Sequence, residues 1–309
     1  TNKQRKHKVH TILFFIALVA NCGGLLTPLG DPPLFMLYLR GVPFTWFLQL
    51  FPEWLFVGTV LLMLYFAVDT FYYKREHSQA KEMDRLEHRA LELSGKINFL
   101  YLVGVVVAVA LVNESYIPAM AKADASIWMV HLRDIVLLVL TGLSLLTTSK
   151  EIRYEKNKFS WMPITEVAIL FLGIFVTMTP VLEYLRIHAA SLGLNEIWQF
   201  YYTTGTLSSF LDNTPTAVAF HSVALGLPAE QLASYGGEIV AGVPSMLLRA
   251  ISLGSVMFGA MTYIGNGPNF MVKAIAERRG IKMPSFFGYM IFSLGVLLPV
   301  YMLVQLIFL

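Results

Sequence analysis

Two stretches of this chain break helices in the same way, inside apolar runs where a break is costly. GLLTPLGDPPLFM occupies residues 24–36 and GAMTYIGNGPNFM occupies 259–271. Shifted by 235 positions, six of the thirteen residues agree. Gly24 meets Gly259, Thr27 meets Thr262, Gly30 meets Gly265, and Pro33 meets Pro268. Phe35 and Met36 meet Phe270 and Met271, and Asp31 faces Asn266. Average Gly and Pro usage predicts about one match in thirteen.

The setting makes the phrase restrictive. Of 309 residues, 56% are hydrophobic and 14% charged, against about 25% charged in a soluble domain. A bilayer is crossed by about 20 apolar helical residues. Crossing segments are read at about 11–39, 53–73, 97–116, 127–148, 161–187, 238–272 and 286–308. The fold class is an all-α polytopic membrane protein, since a soluble chain would expose too much apolar surface. Residues 196–226 carry Gly, Pro, Ser and Asn near their middle. They are too short for two crossings, and a single crossing would show a broken middle to lipid. A re-entrant hairpin with a buried tip remains.

Loops 1–10, 74–96, 149–160 and 273–283 hold 18 of the 23 Lys and Arg residues. They are expected in the cytoplasm. The alternation closes if 196–226 enters and leaves on the outer side. The two copies of the phrase then run in opposite directions, as in the inverted repeats of secondary transporters. The expected divisions are 1–52, the end of a first repeat; 53–160, scaffold helices and a cytoplasmic linker; and 161–309, a second repeat. That second repeat contains the hairpin 196–226 and the interrupted helix 238–272. By symmetry a second hairpin belongs before residue 11, so an N-terminal portion is expected to be missing. The mixed-charge linker 74–96 reads as a solvated helix. Cys22 is the only cysteine, which excludes an intramolecular disulfide and a thiolate cluster.

Breaks in membrane helices are tolerated where they line a cavity, with half-helix N-termini favouring anions and freed carbonyls favouring cations. Thr27 and Asp31 flank the first break; Thr262, Asn266 and Asn269 flank the second. Ser208, Ser209, Asp212, Asn213, Thr214 and Thr216 sit at the hairpin tip. Such oxygens suit a hard cation, and a sodium site is read at Asp212, Asn213 and Asn266. Asp212 is read as the carboxylate that exchanges sodium for a proton. Asp31, before Pro32 and Pro33, reads equally as a helix cap. His221 reads as a packing or hydrogen-bonding residue. Arg249, read as nearly central in its segment, needs an acidic or carbonyl partner, with Asp212, Asp134 or a carboxylate substrate open to it. Arg133 and Asp134 read as groups that pair with other buried groups. Glu53, Asp69, Glu166 and Glu183 read as boundary residues.

The stretches NCGGLLTPLGDPPLFMLYLRGVPF, LSSFLDNTPTAVAF and GAMTYIGNGPNFMVKAIAE, in this order, resemble the ion transporter superfamily. The nearest branch is the citrate-transporter-like proteins, often described as NhaD-type sodium/proton antiporters. The resemblance covers essentially the whole chain. It implies a homodimer with a scaffold and a moving transport domain in the inner membrane. Its binding positions fall on Asp212, Asn213, Thr214, Thr262, Gly265, Asn266 and Pro268, and on Thr27, Gly30, Asp31 and Pro32. Dicarboxylate carriers of the superfamily have Ser-Asn-Thr at their tips; here the tip reads Asp-Asn-Thr, which argues for cation exchange. Sodium/proton antiport is therefore the first expectation, and sodium- or proton-coupled transport of citrate or another organic anion the alternative. No enzyme signature, cofactor or nucleic-acid partner is expected; lipid, sodium, protons and a small anion are.

Overall fold

The structure is a computed structural model that describes residues 5–79, 81–82, 93–114, 116–122 and 124–309, without the side chains at 163, 166, 167 and 170. The linker expected over 74–96 lies largely outside the described residues, as does the Glu166 side chain.

The chain is all-α apart from one small ribbon among the described residues. The main helices are α1 (Val9–Leu18), α2 (Pro32–Leu39), α3 (Phe51–Lys74), α4 (Ile97–Leu111), α5 (Leu132–Thr147) and α6 (Met162–Ile187). They continue with α7 (Ile197–Phe210), α8 (Asn213–Leu225), α9 (Ser245–Phe258), α10 (Gly267–Arg278), α11 (Phe286–Phe292) and α12 (Leu298–Phe308). Among the described residues, two helical stretches are long and apolar enough to cross a membrane, Phe44–Lys74 and Phe286–Phe308; the apolar stretches Val9–Gly24, Ile97–Leu111 and Ser245–Met261 are shorter. The interrupted segments fall short as single helices because Gly and Pro stop them part-way.

Packing divides the chain into Thr1–His88 with Ile174–Leu309, and Arg89–Gly173. This grouping places α3 in the same unit as the broken helices. In the smaller unit, Asn98 Oδ1 accepts from Ser144 Oγ at 2.7 Å and Thr148 Oγ1 at 3.0 Å, tying α4 to α5. Asp134 pairs with His131 at 3.1 Å on the exposed surface rather than with a buried group.

In the larger unit, α9 is the central helix. Every residue from Ala250 to Phe258 is buried, as a helix apolar on all sides requires. It approaches α7 closely because Gly254 and Gly205 lack side chains there. A Cβ on Gly254 would lie 2.6 Å from the Tyr201 carbonyl, and one on Gly205 would strike the Phe258 ring at 2.5 Å. Helix α3 buries one stripe, Glu53, Val57 and Leu61, and exposes Leu55, Leu62, Met63 and Phe66. Apolar side chains facing outward suit lipid rather than water.

The two broken segments share a backbone construction. A 3₁₀ turn ends each first half, at Cys22–Gly24 and Gly259–Met261. Asp31 (φ −148°, ψ 137°) and Asn266 (φ −153°, ψ 136°) hold the same extended N-cap conformation. Both second halves end in a Schellman motif on Arg-Gly. Gly41 N–H donates to the Tyr38 carbonyl and Val42 N–H to that of Leu37, as Gly280 donates to Glu277 and Ile281 to Ala276. Gly41 (φ +99°) and Gly280 (φ +77°) supply the left-handed residue. Here the offset is 239, because α10 is four residues, about one turn, longer than α2.

Residues 238–244 correct the expectation of a helix over the whole of 238–272. They form a ribbon, β1 (Ile239–Val240) against β2 (Val243–Pro244), in which Ile239 faces Pro244 and Val240 faces Val243. Ala241 and Gly242 both have positive φ, the conformation of the two-residue turn that suits a hairpin. Helix α9 therefore starts at Ser245, which puts Arg249 in its first turns instead of near the segment's centre.

Candidate functional site at the helix breaks

Three half-helices begin close to one another: α2 at Asp31, α8 at Asp212 and α10 at Asn266. The hairpin turns between α7 and α8 on two extended residues, Leu211 and Asp212, and its arms meet again at the Phe200–Phe220 ring contact. Asn213 Nδ2 donates to Asp31 Oδ2 at 3.1 Å, which joins the tip to the first break. Asn21 joins the first break to the second: its Nδ2 donates to Asn269 Oδ1 at 2.8 Å, and its Oδ1 accepts from Asn266 Nδ2 at 3.1 Å. Asn269 Nδ2 in turn donates to the Gly259 and Thr262 carbonyls at 2.7 and 2.9 Å. A Cβ placed on Gly259 would lie 2.9 Å from Asn21 Oδ1 and 3.6 Å from Asn213 Nδ2, so these contacts form one cluster.

The second break also closes on the hairpin. Thr262 Oγ1 donates to the Ser209 carbonyl and accepts from Gly265 N–H at 3.1 Å. A Cβ on Gly265 would meet the carbonyl oxygens of Gly259, Ser208 and Ser209 at 2.7, 2.8 and 2.9 Å. Glycine leaves three backbone oxygens converging on one small space. At the first break the corresponding glycine, Gly30, likewise stands directly against the Gly24 carbonyl.

The two aspartates differ in their local bonds. Asp31 is the N-cap residue of α2, but its carboxylate makes no capping hydrogen bond. Pro32 and Pro33 occupy the first two positions and have no N–H to offer, and Leu34 N–H is taken by the Asp31 carbonyl at 3.1 Å. The carboxylate is left buried, 5% exposed, with Asn213 as its donor. Asp212 does cap: its Oδ1 accepts from Thr214 N–H at 3.0 Å, and it is only half-buried. Thr214 is drawn into that cap, and Thr27 enters through its carbonyl, which accepts from Gly30 N–H at 3.0 Å.

Asn21 is the member that the sequence reading omitted. It has no counterpart in the repeat, since position 256 is Val; an amide in an apolar run three residues before Gly24 was its one signal. Arg249 corrects another expectation. Its Nη1 lies 2.5 Å from Oε1 of Glu53, which is fully buried, so neither Asp212 nor Asp134 is its partner. Glu53 points inward because it continues the stripe of Val57 and Leu61 at intervals of four. Asp69 and Glu183 stay near their helix ends, bonded to Arg5 and His10 and to Arg186. His221 is buried with Nδ1 3.4 Å from Arg40, a hydrogen-bonding residue.

A family model described as "Putative citrate transport" matches residues 1–309. The chain belongs to this citrate-transport family. No curated protein and no solved structure matches it. Membership in the citrate-transport family makes this a membrane transport protein and not an enzyme.

Proposed function

We propose that the protein is a secondary carrier that moves a citrate-type carboxylate together with a cation, sodium or proton, through a site at the convergence of α2, α8 and α10. The observation that carries this reading is the pairing of three half-helix N-termini with one buried, non-capping carboxylate. Helix N-termini favour an anion. Asp31 and the carbonyls around Gly265 favour a hard cation or a proton. A tricarboxylate brought in with a cation needs both. The family description supplies the substrate class.

The orientation of the repeats belongs to the same reading. Loops rich in Lys and Arg alternate with loops poor in them, so the two broken segments cross in opposite directions as an inverted repeat in a multi-pass inner-membrane protein. The hairpin α7–α8 then enters from the outer side and holds its tip, with Asp212, Asn213 and Thr214, inside the protein.

Sodium/proton antiport without an organic substrate is the second reading, favoured by the buried Asp31 carboxylate. Uptake of labelled citrate by proteoliposomes under an imposed sodium or proton gradient tests the proposal. Gradient-driven accumulation is expected; accumulation equal to that of empty liposomes contradicts it.

A further inference from the structure

Helices α2 and α8 lie side by side and run in the same direction. Asp31 bonds Asn213 at one end and Arg40 bonds Ser222 at the other, each pair separated by 182 residues. Nine helical residues place the second contact about 13 Å from the first. Arg40 Nη1 donates to Ser222 Oγ at 2.8 Å and lies 3.4 Å from His221 Nδ1. Among the described residues no carboxylate lies within salt-bridge distance of Arg40, and its other guanidinium nitrogens have no protein hydrogen bond. The contrast with Arg249, Arg186 and Lys273 is clear, since these pair with Glu53, Glu183 and Glu277.

A half-buried guanidinium without a counter-ion is costly unless something anionic completes it. The C-terminal ends of α2 and α8 supply partial negative charge, but no formal anion. The Schellman turn at Gly41 fixes the backbone of Arg40, while Ser222 and His221 hold one edge of the guanidinium and leave the rest of the fork open. Such a fork matches a carboxylate in geometry. We infer that Arg40, with Ser222 orienting it, is an anion-binding station for a carboxylate group, one half-helix away from the central site. This rests on the carboxylate-carrier reading for its ligand class.

The test uses the full-length protein and two readouts. One is the citrate dissociation constant, from citrate-induced thermal stabilisation of the purified protein; the other is the KM and kcat of citrate uptake. Arg40→Gln is expected to raise the dissociation constant and KM at least tenfold with kcat within threefold. Arg40→Lys, which keeps the charge but loses the fork, should lie between, and the melting temperature without citrate should be unchanged. Binding without uptake in the wild type, weakened by Arg40→Gln, supports the station while counting against the carrier reading. Absence of citrate binding by the wild type overturns the station. So does a dissociation constant for Arg40→Gln within twofold of wild type, or a loss of stability that appears equally without citrate.

Discussion

Asn213 donates its side-chain amide to the carboxylate of Asp31 across a gap of 182 residues. The contact makes Asp31 a group held from outside its own helix, while Asp212 is occupied with capping. The two aspartates should therefore respond unequally to the same change. Asp31→Asn is expected to lower gradient-driven transport at least tenfold at matched expression. Asp212→Asn should retain most of it, because asparagine caps helices about as well as aspartate. Uptake rates of the two variants decide; the reverse order would return the titrating role to Asp212.

Asn21 holds both breaks with one amide. Asn21→Leu removes three hydrogen bonds and leaves Asn269 Oδ1 and the Asn266 amide without it. A buried polar group stripped of its partner costs about 1–3 kcal/mol. A lowered thermal unfolding midpoint in detergent is expected, together with loss of transport. An unchanged midpoint would show that the cluster is not a fastening.

The glycine clasps yield a matched pair of substitutions. A Cβ at Gly265 would press on three carbonyl oxygens, whereas one at Gly267 meets nothing within 4 Å. Gly265→Ala is expected to reach or exceed the ~1–3 kcal/mol typical of overpacking, and Gly267→Ala to change stability little. Thermal midpoints measured side by side check this.

The Glu53–Arg249 pair joins α3 to α9 with one partner fully buried. Breaking a buried pair from one side costs about 3–5 kcal/mol, while replacing both by apolar residues of similar size is often neutral. Glu53→Leu with Arg249→Met is thus expected to unfold at a higher temperature than Arg249→Met alone. A double variant less stable than the single one would contradict the pairing.

Much of this arrangement was legible before the structure. Gly and Pro interrupt the apolar runs at 24–36, at 259–271 and at the hairpin, and each interruption is a helix end. The turn at Asp212 follows from the Asp-Asn-Thr-Pro sequence, whose first residues are strong N-caps. What was hidden needed contacts between distant parts of the chain. Asn21 works through residues 245 and 248 positions away, and Glu53 and Arg249 are 196 apart. The ribbon at 239–244 was masked by its apolar composition, which a strand and a helix share. At a fixed offset the repeat ends at Met36, because the extra turn in α10 shifts the register before Arg40 and Arg279 can align. Asp212 reads from sequence as the exchanging carboxylate and Asp31 equally as a cap, yet both stand at N-cap positions, and the two prolines after Asp31 leave its carboxylate without the capping bond that Asp212 makes.

Outside the membrane segments, Glu76 ties down the start of the chain. Its carboxylate accepts from His7 N–H at 2.7 Å and Lys6 N–H at 3.1 Å. Burial pushes its pKa up, but these backbone donors, with His7 and Arg5 nearby, outweigh that and hold it below the usual glutamate range. A depressed carboxylate stabilises at pH above its unfolded value, about 4.3, and the contribution is lost as pH falls through the lower folded value. Glu76→Gln at neutral pH should accordingly speed tryptic cleavage after Arg5 and Lys6. Cleavage at the wild-type rate would contradict the tether.

Proton and citrate fluxes recorded in the same proteoliposomes separate citrate carriage from sodium/proton exchange. The full-length protein is given a sodium pulse with and without external citrate, at equal internal and external pH. Citrate entry that depends on the imposed sodium gradient and falls at least tenfold in Asp31→Asn is expected. Sodium-driven proton release of equal size with and without citrate, and no citrate entry, would contradict it.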